Sequence, residues 1–268
     1  MDNSYLQHHG IKGMKWGVRR FQDKNGRLTN EGKFRYAKES SKTIKINKDG
    51  SETIPKGFVF NRVGKATTDV NQSGALYVSY GDKDAARYVK SLGPTKIGKL
   101  LGQYGEAIQH ISVKQNLKMP SDEFVAIETA KLLMSDEKLL NNFNRSLYSS
   151  VVTGNLEKDV TTKDIQDALK DPMGKSGQKL SFGVSSILAD PNYVNEAKVI
   201  YDHFRQKGYD ALPDVHDRLS GTSETAMIII NPEKVEITSV TMISKNVMKS
   251  GKSYVREIGK LPVSELID

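Results

Sequence analysis

Residues able to handle a phosphorylated sugar occur in a fixed order along the chain. Arg62 ends an apolar run that starts at Phe58, and a guanidinium can neutralise a phosphate through two parallel hydrogen bonds. Tyr77 and Ser79 follow in a second apolar run, where an aromatic ring and a hydroxyl can hold a flat ring and a ribose. Glu224 stands just before the apolar run 226–230, and a carboxylate there can stabilise an oxocarbenium ion. Singly, each has an ordinary explanation: Arg62 as an edge charge, Tyr77 as core, Glu224 as a solvated strand flank. Their joint order is what points to a site.

The pattern of the chain shows which elements must hold these residues. Residues 57–63 and 73–79 read as strands. Residues 82–92 turn helical, with Ala85, Tyr88, Val89 and Leu92 spaced i, i+3, i+4, i+7. Residues 106–117 alternate as a further strand. From 121 to 207 the signal is helical: Ser121 is an N-cap with Asp122 and Glu123 in the first turn, and further helices fit 135–150, 162–170 and 191–207. The last carries Val194, Ala197, Ile200, Tyr201 and Phe204 on one face and stops at Gly208. The strand 226–230, the turn Asn231-Pro232 and a strand over 235–240 then read as a β-hairpin. Strands bracketing a helical insert predict an α+β fold.

The chain has 268 residues, with 40 Lys and Arg against 32 Asp and Glu, a net charge of +8 and no Cys. Being 37% hydrophobic and 27% charged, it has the balance of a globular protein and not of a disordered one. The absence of Cys excludes disulfides, zinc ribbons, iron–sulfur clusters and thiol nucleophiles. Residues 1–56 hold 13 Lys and Arg against six Asp and Glu, so nearly all the excess charge belongs to an N-terminal appendage on an almost neutral body. The longest unbroken apolar run, 226–230, is far short of the about 20 residues a membrane span needs, and the first 20 residues lack a signal-peptide core. Neither Sec-dependent secretion nor membrane attachment is expected.

Within the appendage, His8-His9 has no carboxylate or Cys at ligand spacing, so no metal site is expected and tail histidines suffice. Lys12, Lys15, Arg19 and Arg20 surround Trp16, a pattern that suits docking to an acidic protein surface or contact with nucleic acid. The phosphate-loop, dinucleotide-fold, zinc-protease and serine-hydrolase motifs are all missing.

The series 58–63, then Gly74-Ala75-Leu76-Tyr77-Val78-Ser79, then Ala85-Ala86-Arg87-Tyr88, resembles the core of the ADP-ribosyltransferase superfamily. Residues 110–121 resemble that family's next strand and exit loop. The segment Gly208-Tyr209-Asp210-Ala211-Leu212-Pro213-Asp214, with 226–230 and Asn231-Pro232-Glu233-Lys234-Val235, is similar to the closing segment of phage-encoded members. Separately, residues 8–20 (HHGIKGMKWGVRR), continued by residues 25–36, resemble a module that opens many head-associated proteins of phages and prophages of Gram-positive bacteria.

These resemblances imply a split β-sandwich of the ADP-ribosyltransferase type with a helical insert over about 121–207. The domain would span 57–245, preceded by a basic, poorly structured module (1–56) and followed by a tail (246–268). They imply NAD as co-substrate, Glu224 as the catalytic residue, and Arg62, Tyr77, Ser79 and Tyr88 as NAD-binding residues. Arg62 would meet a phosphate or the adenosine-side ribose, Ser79 the nicotinamide ribose, and Tyr77 or Tyr88 the nicotinamide ring. The implied partners are a phage head or other virion protein, contacted through residues 1–40, and a host protein target, in the virion or the host bacterial cytoplasm. Thr222 stands where arginine-modifying members carry Glu or Gln, so arginine as acceptor is not implied. Asp210, Asp214 and Asp217 offer substitute carboxylates, or else a polar, solvated loop. Two other readings stay open: a virion structural protein that keeps the fold without the chemistry, and a nucleic-acid-binding virion component that uses residues 12–35.

Overall fold

The structure, a computed structural model, describes residues 43–64, 74–92, 105, 107–149 and 159–243. The expectations for residues 1–40, 12–35 and 246–268 lie outside the described residues. In chain order the elements are β1 (Lys45–Ile46), β2 (Glu52–Ile54), β3 (Val59–Gly64), β4 (Leu76–Val78), α1 (Asp82–Leu92), β5 (Ala107–Val113) and β6 (Leu117–Met119). There follow α2 (Asp122–Ser135), α3 (Glu137–Ser149), α4 (Thr162–Lys170), α5 (Lys175–Ala189) and α6 (Val194–Gln206). The chain closes through β7 (Ala211–Pro213), α7 (Val215–Leu219), β8 (Met227–Ile229) and β9 (Val235–Met242). The class is α+β. Among the described residues no helix is long and apolar enough to cross a membrane.

Among the described residues three antiparallel sheets are formed, in the orders β1-β2-β6, β3-β5-β9 and β4-β8-β7. The first begins at a hairpin over Asn47-Lys48-Asp49-Gly50, where Gly50 takes a φ of 75° that a side chain would resist. The unit to which all described residues belong begins at Lys42. Strands β1 and β2 are therefore part of the body, although the charge pattern groups them with the appendage. Strands this short and polar carry no alternation to read.

The third sheet is the centre of the molecule, because its side chains alternate between two cores. Tyr77, Leu212, Ile228 and Ile230 pack with Leu180, Val184, Tyr201 and Phe204 of the helices. Leu76, Val78, Ala211, Met227 and Ile229 pack with Phe60, Ile111, Leu117 and Met119 of the other two sheets. A strand buried on both faces reads as an unbroken apolar run, which is why 226–230 lacks polar alternation. The same burial overturns the expected β8–β9 hairpin. Strand β8 needs a neighbour on each edge and finds β4 and β7, while a 3₁₀ turn at Pro232–Lys234 sends β9 to pair with β5.

The helices begin where short polar side chains cap them. The Ser121 hydroxyl accepts from the Phe124 amide at 3.2 Å, and Thr161 with Asp164 forms a reciprocal capping box at the start of α4. Helix α5 has no such signature in the sequence. Apart from its first turn it is buried almost all round, so no polar stripe marks a face. At Gly183 a Cβ would run into the Phe143 ring, so glycine is what lets α3 and α5 meet.

Candidate functional site

One bridge joins two of the sheets: the Asn61 amide donates to the Ser79 carbonyl at 2.7 Å, and the Ser79 amide to the Asn61 carbonyl at 2.9 Å. On the far side of β4, Val78 pairs with Met227 of β8, and the Tyr80 amide donates to the Thr225 hydroxyl at 3.0 Å. The backbones of Arg62, Ser79 and Glu224 therefore lie close together across β3, the end of β4 and the approach to β8, but it is Asn61 that stands opposite Ser79, so the Arg62 side chain leaves β3 on the other face. The Arg62 guanidinium donates to the Gln109 side chain at 3.3 Å across the β3–β5 ladder. The Ser79 hydroxyl is buried and has no protein hydrogen-bond partner, a state it shares with the Thr129 and Ser186 hydroxyls.

Glu224 itself points to solvent, with its side chain 65% exposed. Its carboxylate accepts from Lys83 Nζ at 2.8 Å and from Arg87 Nη2 at 3.2 Å, both on α1. Those cations hold its pKa below the ordinary carboxylate value, Lys83 more than Arg87. The two residues beside Glu224 are held from beneath. Asp84 Oδ2 accepts from the Ser223 hydroxyl at 2.6 Å, the Thr225 amide at 2.8 Å and the Thr225 hydroxyl at 2.6 Å.

Tyr77 of β4 and Tyr88 of α1 belong to a second group, around residues 214–217 between β7 and β8. The Tyr77 ring packs on the helical core and its hydroxyl donates to the Ser185 carbonyl at 3.3 Å. The Tyr88 hydroxyl donates to Asp217 Oδ2 and also reaches the Ser223 side chain. Asp214, 3% exposed, caps α7 by accepting from the Asp217 amide at 3.2 Å, and the Ser185 hydroxyl bonds it as well. Burial first, and then the Asp217 charge, push its pKa up to about 7. His216 Nδ1 lies 3.2 Å from Asp217 Oδ1, and that contact raises the imidazole pKa.

The profile of a family of unknown function (DUF7211) matches residues 1–23. That stretch contains the 8–20 segment and lies outside the described residues. No curated protein matches the chain, and no solved structure does.

Sequence reasoning treats Asp210, Asp214 and Asp217 as spare carboxylates or a solvated loop. The solvated alternative fails for two of them. Asp210 is buried and engaged by Lys234 at 2.6 Å, Asn231 at 2.7 Å and the Lys118 amide at 3.0 Å, which ties β6 to the β7 and β9 ends. Asp214 is buried in the pocket just described. Asp214, His216 and Asp217 also present ligand atoms within 4.8 Å of one another, the arrangement among the described residues that could take a cation. Asp217 already meets Tyr88 and His216 through its two oxygens, so the group is satisfied by protein partners.

Proposed function

We propose that this is a phage- or prophage-encoded protein with an ADP-ribosyltransferase-like body, which transfers ADP-ribose from NAD to a host or phage protein. The observation that carries this is the closeness of the Arg62, Ser79 and Glu224 backbones at the seam where β3 meets the end of β4 and β4 meets the approach to β8. The order of these residues matches that of the superfamily the chain resembles.

Each residue then has a role that its surroundings permit. Arg62 would turn from Gln109 to a phosphate. Ser79 would donate to the nicotinamide-side ribose and so gain the partner it lacks. Glu224, kept ionised by Lys83 and Arg87, would accept from the ribose 2′-hydroxyl and stabilise positive charge at C1′ as that bond breaks. Nicotinamide leaves with the bonding electron pair, and a lone pair of the acceptor forms the new bond to C1′ while its proton is lost. Tyr77 and Tyr88, the ring-stacking candidates, are engaged elsewhere, Tyr77 in the helical core and Tyr88 on Asp217, and take no part in this arrangement. The basic N-terminal module would dock the protein to the virion.

One observation favours the non-catalytic reading: the Glu224 carboxylate is turned outward to two cations. Incubation of the purified protein with NAD and host lysate separates the two. Nicotinamide release and label transfer are expected, with Glu224→Gln lowering the rate by about 100-fold or more. Turnover unchanged by Glu224→Gln removes that residue from the site. Failure to bind NAD in calorimetry leaves the structural reading.

A further inference from the structure

We propose that Asp84 is a positioning residue that sets the Glu224 carboxylate through the two residues flanking it; this rests on the assignment of Glu224 above. Glu224 lies outside any strand or helix, and its own contacts are solvent-exposed ion pairs that cannot fix a geometry. Its neighbours are different. Ser223 is fully buried, and Thr225 is locked by its amide and hydroxyl.

Asp84, 3% exposed, is where these bonds converge. One carboxylate oxygen takes Ser223 and Thr225 on either side of Glu224, while the other accepts from Arg87 Nη1 at 3.3 Å. Arg87 in turn reaches Glu224, so Asp84 holds the backbone that carries Glu224 and also touches one of its two counter-ions. The Tyr80 amide also donates to the Thr225 hydroxyl at 3.0 Å, which ties the same point to the residue after Ser79. A buried carboxylate bonded by several donors keeps its geometry better than any exposed pair. Position matters here because displacement of a reacting group by about 1 Å costs on the order of 100-fold in rate.

The test compares Asp84→Asn, the milder Ser223→Ala, Thr225→Val and the conservative Thr225→Ser in the full-length protein. Asn keeps one oxygen for the Ser223 and Thr225 donors but removes the charge and turns an N–H group toward Arg87 where the second acceptor stood. Expected for Asp84→Asn and Thr225→Val is a fall in kcat of about tenfold to 100-fold with KM for NAD unchanged, while Thr225→Ser stays near wild type. Amide hydrogen exchange at Thr225 gives a readout independent of turnover and should accelerate in Asp84→Asn. If kcat per folded molecule and Thr225 exchange both stay at wild-type values, or if only thermal stability falls, the inference is overturned. If the wild-type protein turns over no NAD, the proposed activity fails instead. Exchange at Thr225 then still decides whether Asp84 fixes this segment.

Discussion

Two ends of one loop, residues 214–225, carry carboxylates under opposite electrostatic rules. At the Glu224 end the side chain is wet and flanked by Lys83 and Arg87, and its pKa falls. At the Asp214 end the side chain is buried, and desolvation with the Asp217 charge outweighs the opposing His216, so that its pKa rises to about 7. Residue type therefore says little about the role of a carboxyl group; solvent access and the sign of its neighbours decide it. An acid meant to stabilise positive charge must stay ionised, as Glu224 does. One that keeps its proton near neutrality acts as a donor or as a buried strut. Helix α1 holds both ends one turn apart, through Asp84 at Ser223 and Thr225 and through Tyr88 at Asp217.

The largest expected effect breaks the Asp214 side of this contrast. Below about pH 4 Asp214 is protonated in both folded and unfolded chains and contributes nothing to pH dependence. Between about pH 4 and 7 the unfolded chain has released the proton while the folded one keeps it, so stability falls as pH rises. Above the folded value the whole penalty is present. Asp214→Asn keeps a capping oxygen and removes the titration. Denaturant unfolding at several pH values should show a flatter profile and a gain at pH 8. Parallel curves for variant and wild type would mean that Asp214 ionises as it does in water.

A smaller effect is expected from Tyr88→Phe, which removes the donor to Asp217 and leaves a half-buried carboxylate short of a partner. The cost should be about 1–3 kcal/mol in the same unfolding measurement. Because Asp214 and Asp217 interact, the double variant with Asp214→Asn should depart from the sum of the single effects. Strict additivity would separate the tyrosine from the pocket.

Legibility in the sequence follows the same division. The apolar runs beside Arg62, Ser79 and Glu224 announce β3, β4 and β8, and the cap at Ser121 announces its helix. The burial of Asp214 could not be found, because Asp-x-His-Asp after a short strand looks like any polar turn. What buries it is α5, whose own sequence lacks an amphipathic stripe because almost every face is covered. The neighbours of β8 were equally hidden. An apolar run shows that a strand is enclosed and leaves open which strands enclose it.

The smallest effect is expected at the other end of the loop, where silence is the informative result. Glu224 makes two ion pairs, yet both it and Lys83 are largely exposed, and such pairs are screened by salt and offset by side-chain ordering. Glu224→Gln should therefore leave the melting temperature unchanged at low and high salt. A clear loss at low salt that disappears at high salt would make the Lys83–Glu224–Arg87 group a structural clasp and favour the non-catalytic reading. Unchanged stability combined with a large loss of NAD turnover would mean the opposite. The charge at Glu224 would then contribute nothing measurable to the fold, and its placement by Asp84 would be explained by chemistry at the seam alone.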